Sequence, residues 1–307
     1  MRPAPPGCYA GRAMPELPEV EITRQNLVRW FRGHRVKRAE ADDTRAFRGA
    51  RWKDFQALHG RLLHLERRGK YLLFSFEADQ GLLAHLGMSG RFVRRPPDAE
   101  VPYSRARFHL ESGDVLHFAD ARLLGRMETC AASRLHELAP VKALGRDPLV
   151  DGLTPAQLRE AVGRSRQELK VALMDQGRLA GLGNIHAAEA LYRARIHPGR
   201  QPGSLSPAEW KRLAHGVRAA LDFALEEQKG EEPRYLKDGA HNGFLIYGRA
   251  GEACARCGTT VRSSTQGGRT THYCPTCQPA QPAQPAQAPR SERAKAPRTK
   301  KTAARRR

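Results

Sequence analysis

The residues with the plainest chemistry lie late in the chain. Cys254-Ala255-Arg256-Cys257 is followed, after sixteen intervening residues, by Cys274-Pro275-Thr276-Cys277. Four thiolates delivered from two tight turns complete a closed tetrahedral site for one zinc ion, and a closed site keeps no open position for substrate. The ion is therefore structural, a staple for a segment of about thirty residues whose core is too small to fold alone. Two disulfides are the competing reading; paired Cys-x-x-Cys in a chain without an export signal favours metal. Between the pairs stand Arg262, Gly267-Gly268 and Arg269 but no acid, a basic finger suited to a DNA backbone. Cys8 and Cys130 have no partner at ligand spacing and read as ordinary thiols. A second group is Leu179-Ala180-Gly181-Leu182-Gly183-Asn184-Ile185, which runs into a helical stretch. Its glycines allow close backbone approach, and free N–H groups at a helix start attract phosphate. Asn184 can cap that helix or offer its amide to a phosphate oxygen. A plain helix–turn–helix corner explains the same glycines.

The elements that must hold these groups follow from periodicity. Val20, Leu27, Val28 and Phe31 fall on one face of a helix over 18–31. Runs at 61–65, 71–76, 82–86, 106–110 and 115–118 read as strands punctuated by glycines, with Glu111-Ser112-Gly113-Asp114 as a hairpin turn. Such short strands suggest a β-sandwich ending near residue 130. Helices are expected over 155–163, 166–175, 184–194 and 207–227, two of them opened by Thr154-Pro155 and Ser206-Pro207. A β-poor segment carrying the cysteines closes the ordered part. The fold class is α+β.

Charge narrows the partners. Lys and Arg number 53 against 32 Asp and Glu, a net +21, and self-repulsion of that size implies a polyanion as partner. Nucleic acid is the first choice and an anionic membrane surface the second. No run of 18 apolar residues is present, so no spanning helix is expected, and the first residues lack the apolar core of a secretory signal. A cytoplasmic, nucleoid-associated protein is expected. Residues 278–307 hold nine basic residues and one acid among Pro-Ala-Gln repeats, and read as a disordered basic tail.

A third motif joins the other two. Met14-Pro15-Glu16-Leu17-Pro18-Glu19-Val20-Glu21 resembles the start of the formamidopyrimidine-DNA glycosylase and endonuclease VIII family of base-excision repair enzymes. Arg67-Arg68-Gly69-Lys70-Tyr71-Leu72, His85-Leu86-Gly87-Met88-Ser89-Gly90, the Gly181–His197 stretch and Tyr247-Gly248-Arg249-Ala250-Gly251-Glu252 match it in order. The similarity runs over about 14–277 and is nearest the formamidopyrimidine branch. It implies a catalytic β-sandwich domain with an N-terminal helix (14–130), a linker (131–153), a helix–two-turn–helix DNA-binding domain (154–244) and a zinc finger (245–277). It implies a bifunctional glycosylase and abasic-site lyase that, acting as a monomer on damaged duplex DNA, removes oxidised bases through a Schiff base and β,δ-elimination. In that family the initiator methionine is lost and the proline amine attacks C1′ of the damaged nucleotide. Pro15 is then the nucleophile and Glu16 the acid/base. An α-amino group titrates at about 7.7–8.0, so a usable fraction is neutral at pH 7. Lys70 matches the lysine that contacts the lesion's phosphate, and Arg269 the finger arginine that grips phosphates at the flipped nucleotide. Asn184 matches the asparagine of the helix–two-turn–helix. Arg166 and Lys170, expected on the preceding helix, are further phosphate contacts or simply a solvated face.

The chain departs from the family in three places. Thirteen residues precede Met14, which makes Pro15 an internal amide; a start at Met14 is expected, with 1–13 absent from the native protein. The void left by a flipped base is filled in the family by a methionine, matched by Met88, and by an arginine and an aromatic. The loop here is Asp120-Ala121-Arg122-Leu123-Leu124-Gly125: Arg122 remains, Leu123 replaces an arginine and Leu124 the aromatic. Leucine wedges by dispersion but gives up stacking of about 1–3 kcal/mol per base. Finally, 236–244 is short for a loop that caps oxidised purines. Oxidised purines such as 8-oxoguanine are the expected lesions; an endonuclease VIII-type preference for oxidised pyrimidines, or a non-catalytic damage-binding protein with a blocked N-terminus, are the alternatives.

Overall fold

The structure, a computed structural model, describes residues 15–47, 52–227, 230 and 243–280. The 1–13 extension, residues 236–242 of the short loop, and 281–307 of the tail lie outside them. Helix α1 (Leu17–Phe31) is followed by β1 (Arg35–Ala41), α2 (Trp52–Gln56), β2 (Gly60–Arg68), β3 (Tyr71–Phe76), β4 (Gln80–His85), β5 (Arg91–Arg95), β6 (Ser104–Leu110), β7 (Val115–Ala119) and β8 (Arg126–Ala131). The strands hydrogen-bond in the order β5-β7-β6-β1-β2-β3-β4-β8. Only two residue pairs, Arg35 with Arg61 and Val36 with Gly60, join β1 to β2. Across that thin seam the two four-stranded halves fold face to face. Phe74 of β3 lies 5.9 Å from Phe92 of β5, and Phe76 lies 5.9 Å from Phe108 of β6, although these strands are not neighbours. This is the expected sandwich. Helix α1 closes its core with Val20, Leu27 and Phe31.

Three of these strands were not legible. β1 (RVKRAEA), β5 (RFVRR) and β8 (RMETCA) are rich in charged residues, so too few apolar residues remain to signal a strand. The expected strands themselves are present.

The helical part contains α3 (Ala139–Lys142), α4 (Pro155–Val162), α5 (Leu169–Met174), α6 (Asn184–Ala194) and α7 (Pro207–Glu227). Thr154 caps α4 reciprocally with Gln157, and Ser206 does the same for α7 with Glu209. Helix α5 begins later than expected, because Ser165 takes the amide of Gln167 and holds a turn there. Arg166 thus lies in a loop rather than on a helix. The cysteine segment is not β-poor: β9 (Arg262–Gln266) and β10 (Arg269–Tyr273) pair as a hairpin about Gly267-Gly268, both at positive φ. The tail also begins later than 278. Gln278 is fully buried, donates to the Ile196 carbonyl at 2.9 Å and accepts from the Cys274 amide at 3.0 Å.

Two contacts tie the sandwich to the helices. Leu17, the first residue of α1, belongs to the helical core rather than the sandwich core. Arg67 at the end of β2 pairs with Asp147 at 2.5 Å, both buried, and Asp147 also accepts the Gly69 amide at 2.7 Å. Arg67→Met leaves Asp147 buried without its counter-charge, a loss of about 3 kcal/mol. Urea unfolding should show that drop; a change within ~0.5 kcal/mol would mean the clamp contributes little to stability.

Candidate active site

Leucine 17 sets the register of the site. Its amide donates to the Gly181 carbonyl at 3.1 Å. Gly181 has φ +98, and a Cβ there would lie 2.4 Å from the Leu17 side chain, so glycine serves both conformation and space. One residue earlier, Glu16 lands on the first turn of α6. Its carboxylate accepts from the amides of Gly183 (2.9 Å), Ile185 (2.9 Å) and His186 (3.1 Å). A Cβ on Gly183 would lie 2.3 Å from Glu16 Oε1 and 2.7 Å from Lys70 Nζ. Gly183 is therefore the floor on which the carboxylate and the ammonium meet. The helix-start amides that the sequence offered to phosphate are occupied by Glu16, the partner a helix N-terminus favours. Pro15 is buried directly beside them.

Around Glu16 stand Glu19, Lys70 and His186. Glu19 Oε2 accepts the Glu16 amide at 2.9 Å, and its Oε1 lies 3.5 Å from His186 Nε2. Burial alone would raise the Glu19 carboxyl, but the imidazole beside it outweighs that and holds it below its usual range. Lys70 follows Gly69 in the turn from β2 to β3. Burial pushes its ammonium down, Glu16 and Glu19 work the other way, and Arg269 adds to the depression. Arg269 itself is exposed at the start of β10, and the same charge acts on Lys170. Glu16 and Lys70 thus approach each other over Gly183, with Arg269 near enough for its charge to act on Lys70.

Lys170 is not a solvated cation. It is fully buried, with Nζ donating to Asn184 Oδ1 at 2.5 Å and Thr271 Oγ1 at 2.7 Å. It fastens α5 to the helix start and to β10, so it presents no free surface to phosphate. Burial is the main cause that moves its pKa down from 10.5 to about 8. Asn184 opens α6 behind the cap position, which belongs to Gly183; its amide serves Lys170 instead of capping. Arg166 is exposed.

The residues expected to fill the void lie on two loops that meet. Met88 is half-buried, while Arg122 and Leu124 are exposed. A Cβ on Gly87 would lie 2.4 Å from the Leu124 backbone, so the two loops touch. Asp120, fully buried, accepts from Ser89 Oγ (2.5 Å) and from the amides of Arg122 (3.2 Å) and Gly125 (2.7 Å). Arg45 donates to the carbonyls of Arg122 and Leu123. These bonds hold Leu123 at φ +53, a left-handed conformation that costs a leucine about 1–2 kcal/mol.

The four cysteine sulfurs lie within 4.8 Å of one another, Cys254 and Cys277 at 4.0 Å and Cys257 and Cys274 at 3.5 Å. Ligands at about 2.3 Å on a tetrahedron would be spaced similarly, so the set fits zinc. None of these four forms a disulfide. Tyr192 of α6 places its hydroxyl 3.2 Å from Cys254 Sγ, and Arg256 stacks on its ring at 4.3 Å. Glu189 of α6 accepts the amides of Leu245, Ile246 and Tyr247. The finger is therefore docked on the helix whose first turn holds Glu16. Sequence reasoning missed Glu19, His186 and Glu189. The Glu16-x-x-Glu19 spacing signalled a reciprocal cap, but no local signal marked His186.

Three family models match: the formamidopyrimidine-DNA glycosylase N-terminal domain over 14–127, its H2TH domain over 144–233, and the zinc finger found in FPG and IleRS over 251–280. The formamidopyrimidine-DNA glycosylase of Symbiobacterium thermophilum is 39% identical over 275 residues, 87% of this chain and 90% of that one. The crystal structure of the MutM (Fpg) protein from Thermus thermophilus superposes with a TM-score of 0.74 at 36% identity, covering 87% of this chain and all of that one. A structure of MutM with DNA containing carbocyclic 8-oxo-G gives 0.77 at 30%, covering 87% and 100%. The zinc-finger match and the four converging sulfurs together make this the site of one zinc ion. Among the described residues no helix is long and apolar enough to cross a membrane.

Lys170 binds its proton more weakly folded (about 8) than unfolded (about 10.5). Stability should therefore rise with pH across that interval. Lys170→Met should flatten the rise in denaturant unfolding followed from pH 8 to about 10; an unchanged slope would contradict the assignment. Metal analysis should give one zinc per chain. Cys257→Ala should lose it, and limited proteolysis should then cut within 254–277 while the sandwich survives; equal resistance would contradict the staple role.

Proposed function

Because the chain belongs to the formamidopyrimidine-DNA glycosylase family, we propose that it excises oxidised bases, purines above all, from duplex DNA and then cleaves the backbone as an abasic-site lyase. The observation that carries this reading is the Glu16 carboxylate, fixed by three amides beside Pro15 with the Lys70 ammonium across Gly183. Pro15 is a nucleophile only with a free amine, since an internal proline nitrogen is a tertiary amide without an available lone pair. We infer that the working chain begins at Met14 and loses it; the family match begins at residue 14.

The Pro15 nitrogen attacks C1′, the C1′–N bond to the base breaks, and the base leaves with a proton. Glu16, one bond along the chain, is placed to relay protons between the opening sugar and the amine. The resulting iminium draws electrons from C2′, so loss of a C2′ proton expels the 3′ phosphate, and a second elimination expels the 5′ phosphate. Lys70 and Arg269 hold those phosphates and lower the cost of their departure. Zinc, closed by four thiolates, takes no part in these steps. Arg122, Leu124 and Met88 fill the stack after the nucleotide is flipped. Lysine 170 and Asn184 support the site from behind, and one chain carries every group, so a monomer acting on chromosomal DNA suffices.

Single-turnover base release from an 8-oxoguanine duplex, by protein beginning at Pro15, tests this. Glu16→Gln should slow release by about 10²–10⁴-fold, and Pro15→Gly should also impair it. Dihydrothymine and thymine glycol duplexes should react more slowly than 8-oxoguanine; the reverse order would assign the pyrimidine type. Tight lesion binding without cleavage would identify a damage-binding protein instead.

A further inference from the structure

His186 is a buried titratable group at the site to which the chemistry above gives no task. Its side chain is 1% exposed; Nδ1 has no hydrogen-bond partner, and Nε2 meets Glu19 as an ion pair rather than a well-formed hydrogen bond. The ring faces carboxylates: Nε2 stands 3.5 Å from Glu19 Oε1 and 4.0 Å from Glu16 Oε2. Glu189 acts on it from its own helix, although that carboxylate is already paired with Arg193 and three amides. The Phe244 ring approaches edge-on at 6.2 Å. Lys70 is the further cation, acting on the same Glu16 and Glu19.

We propose that His186 is a positioning residue that works as an imidazolium, balancing Glu16 and Glu19 together with Lys70 so that the Pro15 amine stays neutral and nucleophilic. The proposal rests on the reading of Pro15 as the nucleophile. Two anions beside an amine favour its protonated, unreactive form. Two cations offset them: Glu16 and Glu19 against Lys70 and His186 leave the cluster without net charge. Burial opposes a charged ring, but Glu19, Glu16 and Glu189 outweigh it and raise its pKa. His186 also acts through position: Glu19 accepts the amide of the Pro15–Glu16 peptide, and the imidazolium beside Glu19 steadies that carboxylate.

The test is the pH dependence of borohydride trapping on an abasic-site duplex, under single turnover, by protein beginning at Pro15. In His186→Gln the acidic limb should move up by about one pH unit, the scale of one charge a few ångströms away. The loss at pH 7 should be about tenfold and recover near pH 9. A rate lowered equally at every pH, with the limb in place, would reduce His186 to packing and overturn the proposal. Should the variant fail to fold, ¹⁵N chemical shifts of the histidine rings in the wild-type protein decide. His186 should still be an imidazolium at pH 7.5, and a neutral ring there would overturn the proposal. A wild type that never traps would defeat the nucleophile assignment itself, and the ring shifts would separately report whether His186 is charged.

Discussion

The three hydrogen bonds from the first turn of α6 to Glu16 are the constraint on which the rest depends. They join Glu16, at the head of the sandwich, to residues 167 to 170 positions further on, in the helical part. Everything that touches α6 is thereby indexed to the proline next to Glu16: Lys170 through Asn184, the cysteine finger through Tyr192, and the 245–247 segment through Glu189. A shift of α6 by one residue would withdraw all three amides from the carboxylate, and with them the floor provided by Gly183.

The same device recurs. Glu189 accepts three amides, Asp147 accepts those of Gly69, Leu149 and Val150, and Asp120 accepts those of Arg122 and Gly125. In a chain of net charge +21, these buried acids work inward as nodes that gather loops, while Arg122 and Arg269 face outward. Positive charge is thus left on the surface for a polyanion, and the backbone supplies the donors that burial of a carboxylate demands. The site's cations are different in kind: Lys70 and Lys170 are desolvated and held by neighbours, which makes them position-sensitive rather than generally attractive.

Which parts were legible follows from how local their signals are. The cysteines were, because ligand spacing is a matter of a few residues. Helices α6 and α7 were found at their observed bounds, because caps and a 3.6-residue period are local too. Strands β1, β5 and β8 were not, since their many charged residues hide them until their partners are known. Lys170 looked like a surface cation because its burial depends on partners elsewhere in the chain, Asn184 and, 101 residues on, Thr271. Glu16 was named from a motif, but its anchorage on α6 spans 167 to 170 residues, and no sequence window holds both ends. His186 stands at the far end of that same span. The glycines of Gly181-Leu182-Gly183 were rightly read as points of close approach; what approaches is Leu17 and Glu16, not a phosphate.

The central claim is that Pro15, held beside the anchored Glu16, is the atom that joins the sugar. Borohydride reduction of the protein on DNA containing 8-oxoguanine, followed by proteolysis and mass spectrometry of the adduct, tests it most directly. The account predicts the sugar remnant on a peptide whose first residue is Pro15, on its imino nitrogen. A remnant on Lys70, or an adduct formed by protein whose Pro15 remains internal, would contradict it.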